Sequence, residues 1–278
     1  MHDNEGIIDK SEILLNLLPT IAKHIIIDRA ENNNFLKNPD DPKEHVLNWH
    51  QFGIITHTQQ VLKAFKIEAP KLFAKWKVDS KINCKINGII EGKSKSELIE
   101  IGIILHDIGK FARNFKNENG KLEHNFYGHE ATSEQLIKQD EFVFKLLYED
   151  LGYTNSQVEY IGRIAGLHFE LGKSRDAARK ASHGYSIEFS KSDECTKSCL
   201  DISANFIEFK EEIGILFLCD SLGKTDIRIN SETDDEIALQ DPFIKQILEE
   251  RKLNPSLIAA IKQLPVNIAI VKRYLEIL

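Results

Sequence analysis

The chain reads as an all-α protein, and three observations predict this. Apolar residues recur at helical spacing through most of its 278 residues, alternating strand patterns are absent, and Asp-Pro and Asn-Pro pairs stand where late helices should open. The first element is "SEILLNLLPTIAKHIII", a strongly apolar run that Pro19 should kink or split. The Asn/Asp/Pro-rich stretch at 31–44 reads as loop. From His45 to about Lys66, Val46, Trp49, Ile54, Val61, Leu62 and Phe65 mark a helix. Residues 95 to about 116 mark the next helix, which carries "IILHDIGK".

After the turn "NENGKLEHN", a helix restarts in "GHEATSEQLIKQ". Another follows in "TNSQVEYIGRIAGLHFE", with Thr154 or Asn155 as its cap. Residues 171–205 are polar and weakly periodic, and read as a long surface excursion that could serve as a lid. "FIEFKEEIGILFLCDSLGK" is a buried helix. Beyond the acidic loop "NSETDDE", the pairs at 241–242 and 254–255 should place Asp or Asn at a cap and Pro at the first helical position. They open two closing helices ahead of "VNIAIVKRYLEIL".

Composition narrows the function classes. The apolar fraction of 42% supports an ordinary core, and a formal charge of −7 argues against broad nonspecific affinity for nucleic acid. No stretch approaches the roughly 20 apolar residues of a membrane span, and the acidic N-terminus lacks a signal-peptide layout. Four irregularly spaced cysteines fit a soluble, cytoplasmic protein with reduced thiols. Cys195 and Cys199 sit one helical turn apart, but without a second pair they read as free thiols rather than half a zinc site.

The histidines carry the functional signal. His57 lies among apolar residues, His106 and His168 end apolar runs, and His129 starts a helix in "FYGHEATS"; on an apolar face a single imidazole would pass as a core residue. Asp107 and Asp220 end the runs "IGIILHD" and "IGILFLCD". A buried aspartate needs a partner, either an ion pair with Lys110 or Lys224 or a metal. Only the metal also accounts for four nearby imidazoles. Such a mixed N/O set suits Mn, Fe, Co, Ni or Zn rather than calcium.

An isolated His, a His-Asp doublet and a distant Asp resemble the HD-domain superfamily of metal-dependent phosphohydrolases. The matching residues are His57, His106, Asp107 and Asp220. "LHDIGK" shares that family's lysine after the doublet, and "NFYGHEATSEQL" and "LFLCDSLGKTDIR" resemble the HD domains of CCA-adding enzymes and poly(A) polymerases. The chain carries no Gly-rich loop with a paired Asp-x-Asp, so their nucleotidyltransferase head is not expected. The likeness runs from about 45 to 230, leaving 1–44 and 231–278 as N- and C-terminal helical extensions.

The resemblance implies a helical bundle whose ligands converge on one cleft. It implies one or two divalent ions (Mn, Ni, Co, Fe, Zn or Mg), with Asp107 shared between two and His129 and His168 completing a dinuclear set. His124 competes with His129, His50 stands on the helical face of His57 as a supporting residue, and His2, His24 and His45 are left to surface or core. Metal-activated hydroxide would attack phosphorus in line. Lys110, four residues after His106 on one helical face, should stabilise the charge that builds there. Lys173, Arg175, Arg179, Lys180, Arg113 and Arg228 are candidates to hold other phosphates, and Glu130 to orient His129. The implied substrate is a nucleotide or an RNA end. A dinuclear iron oxygenase and a nucleotide sensor without turnover are alternatives, because ligand identity does not set the reaction.

Overall fold

Two segments are apolar on nearly every side and therefore have no face for water. One is α5 (Lys95–Leu105), where Leu98, Ile99 and every residue from Ile101 to Leu105 are buried. The other is α11 (Lys210–Gly223), buried from Glu211 to its end. The computed structural model describes residues 9–29, 40, 50–112, 115–116, 122–123, 126–175, 186–228 and 240–278. Within them several other helices pack directly on α5 and α11.

α1 (Lys10–Arg29) packs on α5 and on the 3-10 turn Ile108–Ala112. It runs unbroken through Pro19, so the expected split does not occur. Pro19 is on the exposed side, and a mid-helix proline costs about 3 kcal/mol. Leu14, Leu18, Ile21 and Ile25 are fully buried on the other face, each contributing roughly 1.5–3 kcal/mol, and that burial wins.

The helix expected from His45 begins instead at Ile54, and residues 41–49 lie outside the described set. Gly53 is its cap residue, while Asp40 takes Thr56 N at 2.7 Å and Thr56 Oγ1 at 2.9 Å, satisfying the first turn from a distance. α2 (Ile54–Lys63) then passes through a π turn, Ala64–Glu68, into α3 (Ala69–Lys75), and α4 (Asp79–Ile86) follows. A two-residue hairpin, β1 (Ile89–Ile90) with β2 (Lys93–Ser94), leads into α5. Its start is a capping box: Ser94 Oγ accepts from Glu97 N, and Glu97 accepts from Ser94 N.

The helix expected over 95–116 ends at Leu105. His106 and Asp107 form a turn, followed by the 3-10 segment. A second hairpin joins β3 (Phe115–Lys116) to β4 (Leu122–Glu123). α6 (His129–Gln139), α7 (Glu141–Lys145) and α8 (Asn155–Leu167) follow. Thr154 caps α8 in a second capping box with Gln157, as its sequence predicts.

Part of the polar excursion is core. A helix described over 170–175 (α9), the 3-10 turn Ile187–Lys191 and α10 (Asp193–Asn205) occupy it. α10 buries Cys195, Cys199 and Ile202 against the last helix. α12 (Asp241–Glu250) is capped by Gln240, so Asp241 is its first helical residue rather than its cap. Asn254 does cap the turn ahead of α13 (Ile258–Ile277), accepting from Ser256 N at 2.9 Å. α13 continues through Pro265 as one helix and lies along α11. The fold is all-α, and no helix among the described residues is long and apolar enough to cross a membrane.

Candidate metal centre

Six side chains from five elements meet between α2, α5, α6, α8 and α11. His57 sits in the second turn of α2; His106 and His168 are the residues that close α5 and α8; His129 opens α6 after Gly128 (φ 78°); Asp220 lies near the end of α11. All six are buried. Each imidazole turns Nδ1 to a backbone carbonyl: His57 to Gly223 O (3.1 Å), His106 to Ile103 O (2.6 Å), His129 to Phe126 O (2.6 Å) and His168 to Ala165 O (2.7 Å). A carbonyl only accepts, so each Nδ1 carries a proton, and in the neutral ring Nε2 presents a lone pair.

The four Nε2 atoms face one another and the two carboxylates. His57 Nε2 is 3.1 Å from Asp220 Oδ1 and 3.5 Å from Asp107 Oδ2. His106 Nε2 is 3.4 Å from Asp107 Oδ2, and His129 Nε2 is 3.0 Å from Asp107 Oδ1 and 3.3 Å from His168 Nε2. These are acceptors confronting acceptors. His106 Nε2 and Asp107 Oδ1 have no partner in hydrogen-bonding geometry, although buried polar atoms normally have one. A cation reconciles the arrangement, and histidines anchored through Nδ1 are the usual form of metal-binding histidine. Two subsets suit an ion, with ligand atoms within 4.8 Å of one another: His57, His106 and Asp107, and Asp107, His129 and His168. Asp107 belongs to both.

Burial, reinforced by His168 and His57, holds His106 down to about 3, against the pull of Asp107 and Asp220. His168 is lowered by burial and by His129. Both are therefore neutral at physiological pH, the state a metal requires. Burial raises Asp107, but His106, Lys110 and His129 outweigh it and keep the carboxyl well below its ordinary range. At Asp220, burial is likewise overcome by Lys224 and His57.

Lys110 and Lys224 each hold one aspartate. Lys110 Nζ donates to Asp107 Oδ2 at 2.6 Å, and Lys224 Nζ lies 2.7 Å from Asp220 Oδ2. The ion pairs and the ligand set thus coexist. Lys110 follows the doublet on the 3-10 turn, not on a continuing α-helical face. His50 is buried but lies in the segment before α2, not on its face; its ring meets His57 edge-on at 4.2 Å and its Nε2 is 3.4 Å from Lys110 Nζ. Glu130 Oε2 is 3.6 Å from His129 Nδ1.

The other candidate cations that are described have partners of their own. Arg175 is turned inward, donating to Gln263 Oε1 at 2.9 Å and Asn267 Oδ1 at 3.0 Å. Asn267 in turn donates to Ser221 Oγ, the neighbour of Asp220. Arg228 pairs with Glu68 at 3.0 Å. Lys173 pairs with Glu170 on the surface. His24 stacks on Phe142 and meets Asp140 at 3.2 Å. Arg113, Arg179, Lys180, His2, His45 and His124 lie outside the described residues. Cys195 and Cys199 are free thiols in the core. Sequence reasoning missed Ser133, whose Oγ accepts from Gly109 N at 2.9 Å and ties the doublet turn to α6. Its signal was the glycine in "HDIGK": a Cβ there would meet His129 O at 2.1 Å.

A family model described as HD domain matches residues 54–201, more than half of the chain, and spans five of the six clustered residues. No curated protein matches the sequence.

Proposed function

The chain belongs to the HD-domain family, and from that premise we propose that it is a metal-dependent phosphohydrolase acting on a phosphate ester of a nucleotide or an RNA end. The observation that carries this reading is the convergence of four Nε2 lone pairs on two ionised aspartates, with His106 Nε2 left without a protein partner. Divalent ions, which His57, His106, Asp107, His129, His168 and Asp220 would hold, would supply an activated water and neutralise phosphoryl oxygens.

The residues of the chain do the rest. Carbonyl-anchored Nδ1 atoms keep the imidazoles in one tautomer and one orientation, so no reorganisation is needed when a substrate arrives. Asp107, Asp220 and Glu130 bring three negative charges to the cluster, and Lys110 and Lys224 bring two positive ones, a sum of −1. With its activated hydroxide, one divalent ion would bring that to 0, and two ions with one hydroxide to +2. A phosphate ester offsets the excess of the two-ion state, whereas a neutral substrate leaves it buried and uncompensated. Lys110 and Lys224 stand at the cluster as the ammonium groups available to phosphoryl oxygens. A cytoplasmic setting is part of the proposal, supported by four cysteines that are all free.

The test is product formation, followed by chromatography. The panel holds nucleoside monophosphates, 2′,3′-cyclic nucleotides, an RNA oligomer ending in a cyclic phosphate, and a dinucleoside polyphosphate. Each is run with Mn, Ni, Mg or chelator, and Asp107→Ala protein is the control. Turnover that needs both metal and Asp107 is the expected result. Phosphate release that continues in chelator, or in the variant at wild-type rate, refutes the reading.

A further inference from the structure

Away from the metal cluster, a cavity of about 620 Å³ opens between the end of α3, the 3-10 turn Ile187–Lys191 and the second half of α13. Its charged lining is Lys75, Lys191, Lys272 and Arg273 against one carboxylate, Glu276. In a chain with a formal charge of −7, four cations facing one concavity are a local reversal of sign. Three separate segments supply them, "KLFAKWK", "EFSKS" and "IVKRY", so the patch is made by the fold and not by one basic run. The apolar lining is Leu72, Ile187 and Ile268, beside the largely buried Trp76.

The contacts of Lys272 and Arg273 leave their charge available to an anion. Arg273 makes its side-chain hydrogen bonds to Thr196 Oγ1, at 3.2 and 3.4 Å, and a hydroxyl does not neutralise a guanidinium. Lys272 reaches Glu276 only at 4.0 Å, with both side chains well exposed. Lys191 pairs with Glu188, again at the surface. Exposed pairs of this kind contribute little and yield readily to a better anion. The volume falls in the range of small-molecule sites, where an apolar wall and a few convergent polar groups define the ligand.

We propose that this cavity binds an organic phosphate of about nucleotide size, with its phosphates on Lys191, Lys272 and Arg273 and its apolar part on the wall of Leu72, Ile187 and Ile268. The site is separate from the metal cluster and does not depend on the reaction there.

Calorimetric titration of the full chain with ADP, in excess EDTA, tests this, with pyrophosphate and adenosine as parallel probes. ADP should bind saturably at one site, at least about tenfold tighter than pyrophosphate, with adenosine undetected. Lys191→Glu/Lys272→Glu changes only exposed side chains and should weaken ADP about tenfold or more while the circular dichroism stays that of wild type. Arg273→Gln should weaken it in the same sense, and Asp107→Asn should leave it unchanged. No saturable ADP binding overturns the proposal. So does equal affinity for pyrophosphate, which marks a mere electrostatic patch. Binding that survives the double charge reversal but is lost in Asp107→Asn places the anion at the metal cluster and also overturns it.

Discussion

Replacing Asp107 by Asn should remove both metal positions at once, and this is the sharpest consequence of the cluster's geometry. Asp107 is shared by the two subsets of ligands, whereas His57 and His168 each belong to one. Asparagine keeps the shape and one acceptor oxygen but deletes the charge. At an effective dielectric of about 20, two unit charges about 4 Å apart attract by about 4 kcal/mol, and a divalent ion doubles that. The desolvation already incurred by a buried carboxylate returns several kcal/mol when it is removed. The net loss is about 4 kcal/mol per ion, or about a thousandfold in affinity. The assay is metal content by mass spectrometry after gel filtration, at equal protein and Mn concentration. Wild type should retain about two ions per chain, His168→Ala about one and Asp107→Asn close to none. Equal metal loss in His168→Ala and Asp107→Asn would refute the shared role. Wild-type content in Asp107→Asn would refute the site itself.

Three further outcomes follow from contacts around the cluster. Lys110→Met leaves Asp107 buried without its 2.6 Å partner and should destabilise the metal-free chain by about 3–5 kcal/mol in urea unfolding. Saturating Mn should restore most of that loss, and equal stabilisation of variant and wild type by Mn would contradict it. Acid should destabilise the metal-free protein, because His106 is held at about 3 when folded and returns to 6.5 when unfolded. The unfolded chain then binds the extra proton, so stability present above pH 6.5 is lost as pH falls toward 3, by up to about 1.4 kcal/mol per pH unit for each such proton. His168 acts in the same sense, and Asp107 and Asp220 add to it below their ordinary carboxylate range. Thermal midpoints in EDTA that stay level from neutral pH down to about 5 would exclude this. Gly109→Ala should cost about 3 kcal/mol, since its Cβ would meet His129 O at 2.1 Å and Ser133 N at 2.7 Å. The same variant should lose the ion nearest His129 first, and unchanged metal content would count against the coupling.

The clustered residues were legible because His57, His106, Asp107, His168 and Asp220 interrupt or end apolar runs, while His129 was found through the family resemblance. His57, His106, Asp107, His129, His168 and Asp220 all come together. What sequence did not disclose is how the backbone delivers them. Nothing in "IILHDIGKFAR" marks the change from α-helix to 3-10 turn at His106, because local propensity is continuous across it. The break follows from packing, as Gly109 comes to rest against α6. α10 was hidden because two of its three buried residues are cysteines in a polar stretch. Arg175 stands in the run "KSRDAARK" and reads there as a candidate phosphate contact. Its partners Gln263 and Asn267 lie 88 and 92 residues further on, beyond any local pattern. The helix runs on through Pro19 for a related reason. The penalty of a proline is local, and the burial that outweighs it comes from α5 and the 3-10 turn.

The position of the histidines at helix ends has a physical rationale. The last turn of a helix leaves carbonyls without an intrahelical donor. His106 and His168 close α5 and α8, and their Nδ1 groups donate to carbonyls three residues back, Ile103 O and Ala165 O. One hydrogen bond thus fixes the Nδ1 proton and aims Nε2 at the cluster. His129 does the same with Phe126 O ahead of α6. His57 is the exception, inside α2, and its Nδ1 reaches across to Gly223 O on α11. It therefore joins the helix that carries one ligand to the helix that carries Asp220. Gly223 permits the approach, since a Cβ there would lie 2.4 Å from Val61. The cage is consequently held by backbone carbonyls and close helix packing. Its geometry is a property of the folded chain, and the free energy of metal binding is left to act on the ligands rather than on assembling them.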